Sequence, residues 1–137
     1  MKIIGFTAGV FDMFHVGHLN LIENAKANCE HLIVGVNSDK LVETYKGKKT
    51  IVPFEERIRI VAAVRAVDET ICVDSLDKES IWRIKPFNLL FIGDDWKGNP
   101  RWEHTEQVMA EYGVKTIYLP FTKGISTTDI KNKILNL

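Results

Sequence analysis

Cysteine is scarce in this chain of 137 residues: Cys29 and Cys72 are the only two. They are too few for a disulfide framework and lack the paired spacing of a zinc site, so a reducing compartment is expected. Net charge is lacking as well, since 18 basic residues balance 18 acidic ones. That balance argues against a protein held on nucleic acid by a broad basic field, while a local anion site stays open. No apolar run approaches the roughly 20 residues that cross a bilayer. The opening Met1-Lys2-Ile3-Ile4-Gly5 runs straight into strand-like sequence rather than a cleavable signal, so a cytoplasmic protein is expected. Repeats, low-complexity tracts and linkers are also missing. With 45% hydrophobic and 26% charged residues, the composition fits one domain, spanning 1–137, with a sizeable core.

Periodicity supplies the architecture. Segments 3–7, 32–36, 70–73, 89–92 and 116–119 are short, apolar and bounded by polar or glycine positions, as strands are. Between them, 19–27, 54–67, 78–84 and 102–112 carry apolar residues at helical spacing, and 129–135 offers a last helix. Pro53 suits a helix start, Pro86 a stop, and Gly113 a cap. Alternating strand and helix predicts an α/β, Rossmann-like three-layer domain: a five-stranded parallel sheet with helices on both faces. Its ligand crevice should lie at the carboxyl ends of the strands. The stretch 43–52 reads as irregular, and with Lys46, Gly47, Lys48 and Lys49 it has the composition of a mobile basic loop.

The first strand leads into Ala8-Gly9-Val10-Phe11-Asp12-Met13-Phe14-His15-Val16-Gly17-His18. His15 and His18 would share one face of a helical turn, where imidazole N–H groups and the helix N-terminus can bind phosphate oxygens. Gly9 and Gly17 let backbone approach a nucleotide. A local hydrogen-bonded histidine pair is the plainer alternative, and no third ligand nearby suggests a metal. Ser126, Thr127 and Thr128 precede a helix, so they fit either distal phosphates or a simple cap. Asp94, Asp95 and Trp96 follow the fourth strand, where a carboxylate can accept from the amino group of cytosine or merely organise the loop.

Gly9-Val10-Phe11-Asp12 followed by His15-Val16-Gly17-His18 resembles the signature of the nucleotidyltransferase superfamily, which includes the cytidylyltransferases. The histidine element alone also resembles class I aminoacyl-tRNA synthetases, but no anticodon domain is present. Gly93-Asp94-Asp95-Trp96-Lys97-Gly98 and Gly124-Ile125-Ser126-Thr127-Thr128 look like motifs of the glycerol-3-phosphate cytidylyltransferases, so the resemblance covers nearly the whole chain. The run from Trp96 to Trp102 is also similar to choline- and ethanolamine-phosphate cytidylyltransferases. Gly9-Val10-Phe11-Asp12 and Val36-Asn37-Ser38-Asp39 look like heptose-phosphate adenylyltransferases.

The resemblance implies transfer of CMP from CTP to a small alcohol phosphate, foremost glycerol 3-phosphate, giving CDP-glycerol for a teichoic acid, capsule or similar surface polymer. It implies His15, His18, Lys46 and Lys48 as catalytic residues. It also implies nucleotide contacts from Gly9, Val10, Phe11, Asp12, Gly17, Asp95, Ser126, Thr127 and Thr128. Arg57, Arg65 and Lys78 match basic positions assigned to the acceptor phosphate, although helix pattern alone reads the arginines as surface residues. Mg2+ is expected to travel with the substrate phosphates rather than in a protein cage, and a homodimer is expected. Asp12 suits ordering of the histidine loop, or of a metal-water shell, better than a base role. One departure stands out: where those enzymes carry arginine, this chain has Phe121, with Lys123 two positions away as a possible substitute. A lysine does not reproduce a forked guanidinium.

Overall fold

The computed structural model describes residues 2–137. Five strands, β1 (Ile4–Gly9), β2 (His31–Asn37), β3 (Glu69–Val73), β4 (Leu89–Gly93) and β5 (Lys115–Leu119), alternate with helices. The helices are α1 (Val16–Lys26), α2 (Asp39–Lys46), α3 (Phe54–Ala62), α4 (Lys78–Ile84), α5 (Pro100–Ala110) and α6 (Thr127–Leu135). The sheet is wholly parallel in the order β3-β2-β1-β4-β5. The expected α/β architecture is therefore present.

Side-chain alternation splits the core in two. Phe6, Ile33 and Leu90 face one way and join Leu41 of α2, Ile81 of α4 and Met109 of α5. Leu32, Val34, Val36 and Phe91 face the other and cover Ile22 and Ala25 of α1 and Val61 of α3. Neighbouring strand residues point to opposite faces, so each strand feeds both layers and reads as a continuous apolar run.

Two expectations need correction. The stretch expected to be irregular, 43–52, is helical up to Lys46, because α2 runs Asp39–Lys46. Ser38 caps it through Leu41 N at 3.2 Å, and Gly47 ends it at φ 70°, a left-handed conformation that glycine adopts without a Cβ clash. Helix α3 stops at Ala62, short of the expected 67, because the chain turns at 63–66 to enter β3.

Strand order reverses between β1 and β4. Their backbone pairing runs only through Gly5 with Leu89 and Phe6 with Leu90. Beyond that point the Thr7 hydroxyl bridges the gap, donating to Phe91 O at 3.1 Å. The strands part towards their carboxyl ends, and the crevice expected at such a switch point opens there.

Candidate active site

The cleft has two lobes. A main lobe of about 330 Å3 runs along the separated ends of β1 and β4 and is lined by His15, His18, Lys46, Lys78, Asp95 and Ser126, among others. A smaller lobe of about 240 Å3 holds Asp12, Lys48, Lys49, Thr128 and Lys131. His18, Lys46, Thr127 and the Gly9-Val10 backbone belong to both walls. One lobe is rich in aromatic side chains, the other in cations.

His18 sits at the join, with His15 beside it on the main lobe. His15 is the N-cap of α1, its Nδ1 accepting from Gly17 N at 3.0 Å, while His18 Nδ1 accepts from His15 N at 3.2 Å. A bare Nδ1 on each ring places the proton of the neutral imidazole on Nε2, leaving two N–H donors for a ligand. The rings stack at 3.8 Å between centroids, and Phe11 and Phe14 each lie 5.3 Å from His18. Burial, reinforced by His15 and opposed by Asp12, lowers the His18 pKa to about 4; burial lowers His15 too. Both are therefore neutral hydrogen-bond donors near pH 7. Glycine at 17 is a steric requirement, because a Cβ there would lie 2.8 Å from His15 Cε1.

The loop carrying these rings is held from three sides. Asp12, buried, accepts from Ile51 N at 2.8 Å and Val52 N at 2.9 Å, which fixes the segment following the lysines. Thr127 Oγ1 donates to Asp12 O at 2.8 Å and ties in the start of α6. Phe11 and Met13 take left-handed φ values of 54° and 50°. Such conformations cost of order 1–3 kcal/mol each and persist only where surrounding contacts fix them.

Arg57 supplies the rest of that scaffold, which corrects its reading as an acceptor ligand. Its side chain is fully buried. Nε donates to Val52 O at 2.9 Å, and one terminal nitrogen to Val10 O at 2.6 Å and Asn37 O at 2.9 Å. The other reaches Asp39 Oδ1 at 2.6 Å. Desolvation would raise the Asp39 pKa, but hydrogen bonds from Arg57, Phe54 N and Thr50 outweigh it and hold the carboxyl below its usual range. Four of its five N–H donors are engaged in this way, and the residue lines neither lobe of the cleft. Arg65 lies in the exposed turn between α3 and β3, at the amino end of the sheet, whereas the cleft of the same chain opens at the carboxyl end. Of the three basic positions expected at the acceptor, the structure brings only Lys78 to the cleft.

The other expected residues line the two lobes. Ser126 Oγ caps α6 through Asp129 N at 3.0 Å, so its own hydroxyl proton stays free, whereas Thr127 has spent its proton on Asp12. Thr127 therefore offers its backbone N–H, and Thr128 lines the cationic lobe. Lys46, on the last turn of α2, has its pKa lowered by desolvation and then by Lys48 and Lys131, with Asp12 opposing. Partial desolvation pushes Asp95 up, with Asp94 adding to the effect. Lys123 is exposed and lines neither lobe, so it does not take the place of the missing arginine. Lys131 does face the cationic lobe; it sits four residues after Thr127 on α6, a same-face spacing present in the sequence and overlooked there. Phe121 lines the main lobe, anchored by its N–H to Asp94 Oδ1 at 3.1 Å. Asn37, Tyr45, Arg101 and Trp102, also unassigned from sequence, complete that lobe.

A parallel sheet split at its switch point, with neutral imidazole donors beside a lysine lobe, defines an α/β domain built to hold phosphate groups. A family model described as Cytidylyltransferase-like matches residues 6–133. A glycerol-3-phosphate cytidylyltransferase of Bacillus spizizenii is 37% identical, with 96% of each chain covered. The bifunctional protein HldE of Geobacter metallireducens is 35% identical over 98% of this chain, which corresponds to 27% of that longer protein. In structure, a lipopolysaccharide core biosynthesis protein of Thermoplasma volcanium superposes with a TM-score of 0.75 at 21% identity, covering 91% of this chain and 100% of that one. The chain belongs to the cytidylyltransferase-like family.

Proposed function

We propose that this chain transfers CMP from magnesium-bound CTP to glycerol 3-phosphate, forming CDP-glycerol and releasing pyrophosphate. The observation that carries the reading is the pair of neutral histidine Nε2–H donors, His15 on the aromatic lobe and His18 where that lobe meets the cationic one. The likeness to the Bacillus spizizenii enzyme over 96% of both chains selects the substrates.

In this mechanism an acceptor phosphate oxygen attacks the α-phosphorus as the bond to pyrophosphate breaks in line. A phosphomonoester has its second pKa near 6, so the nucleophile arrives ionised and no general base is required. His15 and His18 donate to oxygens of the α-phosphate, with charge building there in the transition state. Lys46, Lys48 and Lys131, with the Ser126 hydroxyl and the first N–H groups of α6, hold the departing phosphates. Asp95 offers an acceptor for the cytosine amino group. Among the described residues no three His, Cys, Asp or Glu side chains cluster as a metal cage, and Asp12 has both oxygens engaged by backbone N–H groups. In this reading Mg2+ enters with the nucleotide, carried by its phosphates.

A homodimer belongs to the same proposal through the family resemblance, and a cytoplasmic location through the two unpaired cysteines. Among the described residues, no helix is long and apolar enough to cross a membrane.

The test is pyrophosphate release with CTP or ATP, each crossed with glycerol 3-phosphate, phosphocholine, phosphoethanolamine and heptose 1-phosphate. Turnover with CTP and glycerol 3-phosphate, well above the other pairs, is expected. Preferential turnover of ATP with heptose 1-phosphate would replace the proposal with sugar-phosphate adenylyl transfer.

A further inference from the structure

Among the described residues, the exposed Phe, Tyr and Trp side chains are Tyr45, Trp96 and Phe121, and all of them line the main lobe. None of the exposed aliphatic side chains does. Two of these rings already carry a cation: Lys46 Nζ lies 5.8 Å from the Tyr45 ring centre, and Arg101 Cζ lies 5.9 Å from that of Trp96. Phe121 carries none, and no other aromatic ring packs on it among the described residues. Its side chain is left 46% exposed.

The backbone that bears this ring is held on both sides. Leu119 pairs with Gly93 at the carboxyl ends of β5 and β4, and two residues later the Phe121 N–H donates to Asp94 Oδ1 at 3.1 Å. Pro120 between them has its φ fixed by the pyrrolidine ring. Thr122 then accepts through Oγ1 from Asn20 Nδ2 of α1 at 3.1 Å. A phenyl ring on a pinned backbone, half in water and facing a cleft, keeps apolar area that a ligand in the lobe can cover. The bond to Asp94 sets it beside the single turn Asp94–Trp96, which carries the carboxylate of Asp95.

A phenyl ring offers no charge to a phosphate. A ligand cation suits an aromatic face, but the neighbouring rings of Tyr45 and Trp96 already bear Lys46 and Arg101, which repel it. A neutral planar ring meets neither objection, and stacking on an aromatic side chain is open to any nucleobase.

We propose that Phe121 is the face on which the nucleobase stacks, with Asp95 accepting from the cytosine amino group at its edge. The inference rests on the cytidylyl-transfer reading and adds to it how this chain, with no arginine at 121, holds its nucleotide: position 121 contributes to the affinity for the base and nothing to that for the phosphates. The choice of cytosine then lies with Asp95, because stacking accepts any base.

Calorimetric titration of CTP and CMP into wild type, Phe121→Ala and Phe121→Tyr tests it. Phe121→Ala should weaken CTP and CMP by the same factor, roughly 5- to 100-fold, the usual loss for one base stacked on an aromatic ring. Phe121→Tyr keeps the face and should bind both within about 2-fold of wild type. Weakening of CTP with CMP unchanged would put Phe121 at the phosphates, and unchanged affinity for both would leave it a surface residue; either result overturns the proposal, as does a loss in Phe121→Tyr equal to that in Phe121→Ala. If wild type binds ATP in preference to CTP, the cytidylyl-transfer reading fails by itself. The same titrations with ATP and AMP then decide the stacking face: an equal loss on both in Phe121→Ala upholds it, and unchanged affinity overturns it. Wild type that binds neither CTP nor ATP overturns both readings.

Discussion

Replacing His18 by alanine is expected to lower kcat by about 10²–10³-fold, the usual loss when one preorganised donor to a developing oxyanion is removed. The ring has two jobs on two nitrogens. Nδ1 accepts from His15 N and fixes the start of α1, which leaves Nε2–H as the donor proposed for the α-phosphate. Loss of the first job is a cap-sized effect of about 1 kcal/mol. A folded, CTP-binding variant with depressed turnover is therefore expected, read by steady-state kinetics beside a thermal melt. Near-normal kcat would remove His18 from the chemistry.

The same residue gives an acid-side signature. Its pKa is about 4 in the folded chain against 6.5 for an unperturbed histidine, so between those values the unfolded state binds the extra proton. The stability contributed by bare Nδ1 is fully present above pH 6.5 and is lost as pH falls towards 4. Wild type should lose Tm across this window more steeply than His18→Ala does.

Arg57→Ala is expected to be the most destabilising single change at the site, by about 3–5 kcal/mol, because it strands the buried carbonyl of Asn37 and the half-buried carbonyls of Val10 and Val52 at once. Asp39 adds less, since its side chain is 42% exposed and water can solvate it once the pair is broken. For a domain of this size the change corresponds to a Tm drop of roughly 10–20 °C. Arg57→Lys restores the charge but not the fork, and should recover only part of the loss. Activity should fall through the loops, because Arg57 joins the histidine loop at Val10 to the post-lysine segment at Val52. Unchanged stability with a raised acceptor KM alone would return Arg57 to the role its position in the sequence first suggested.

That reversal shows where sequence reasoning stops. The alternation of apolar runs was enough to place all five strands and the carboxyl-end crevice, because both follow from periodicity and chain direction. The histidine loop and the start of α6 were legible as short motifs at element boundaries. A basic side chain's environment is not local, however. Arg57 and Arg65 sit eight residues apart and look equivalent in sequence, yet one is a buried strut and the other lies at the opposite end of the sheet. Helix α2 is masked in the sequence by the lysine-rich composition of 43–52, although Ser38 and Gly47 bracket the helix as cap residues. The tie from Asp12 to Ile51 and Val52 spans some forty residues, and no spacing rule reveals it.

The central claim is that an acceptor phosphate oxygen attacks the α-phosphorus of CTP in this cleft. Turnover of CTP with glycerol 3-phosphate labelled with 18O on its phosphate, followed by mass spectrometry of the products, tests it directly. The account predicts that the label appears in CDP-glycerol and is absent from pyrophosphate. Unlabelled CMP as the only nucleotide product, formed equally with or without glycerol 3-phosphate, would contradict it.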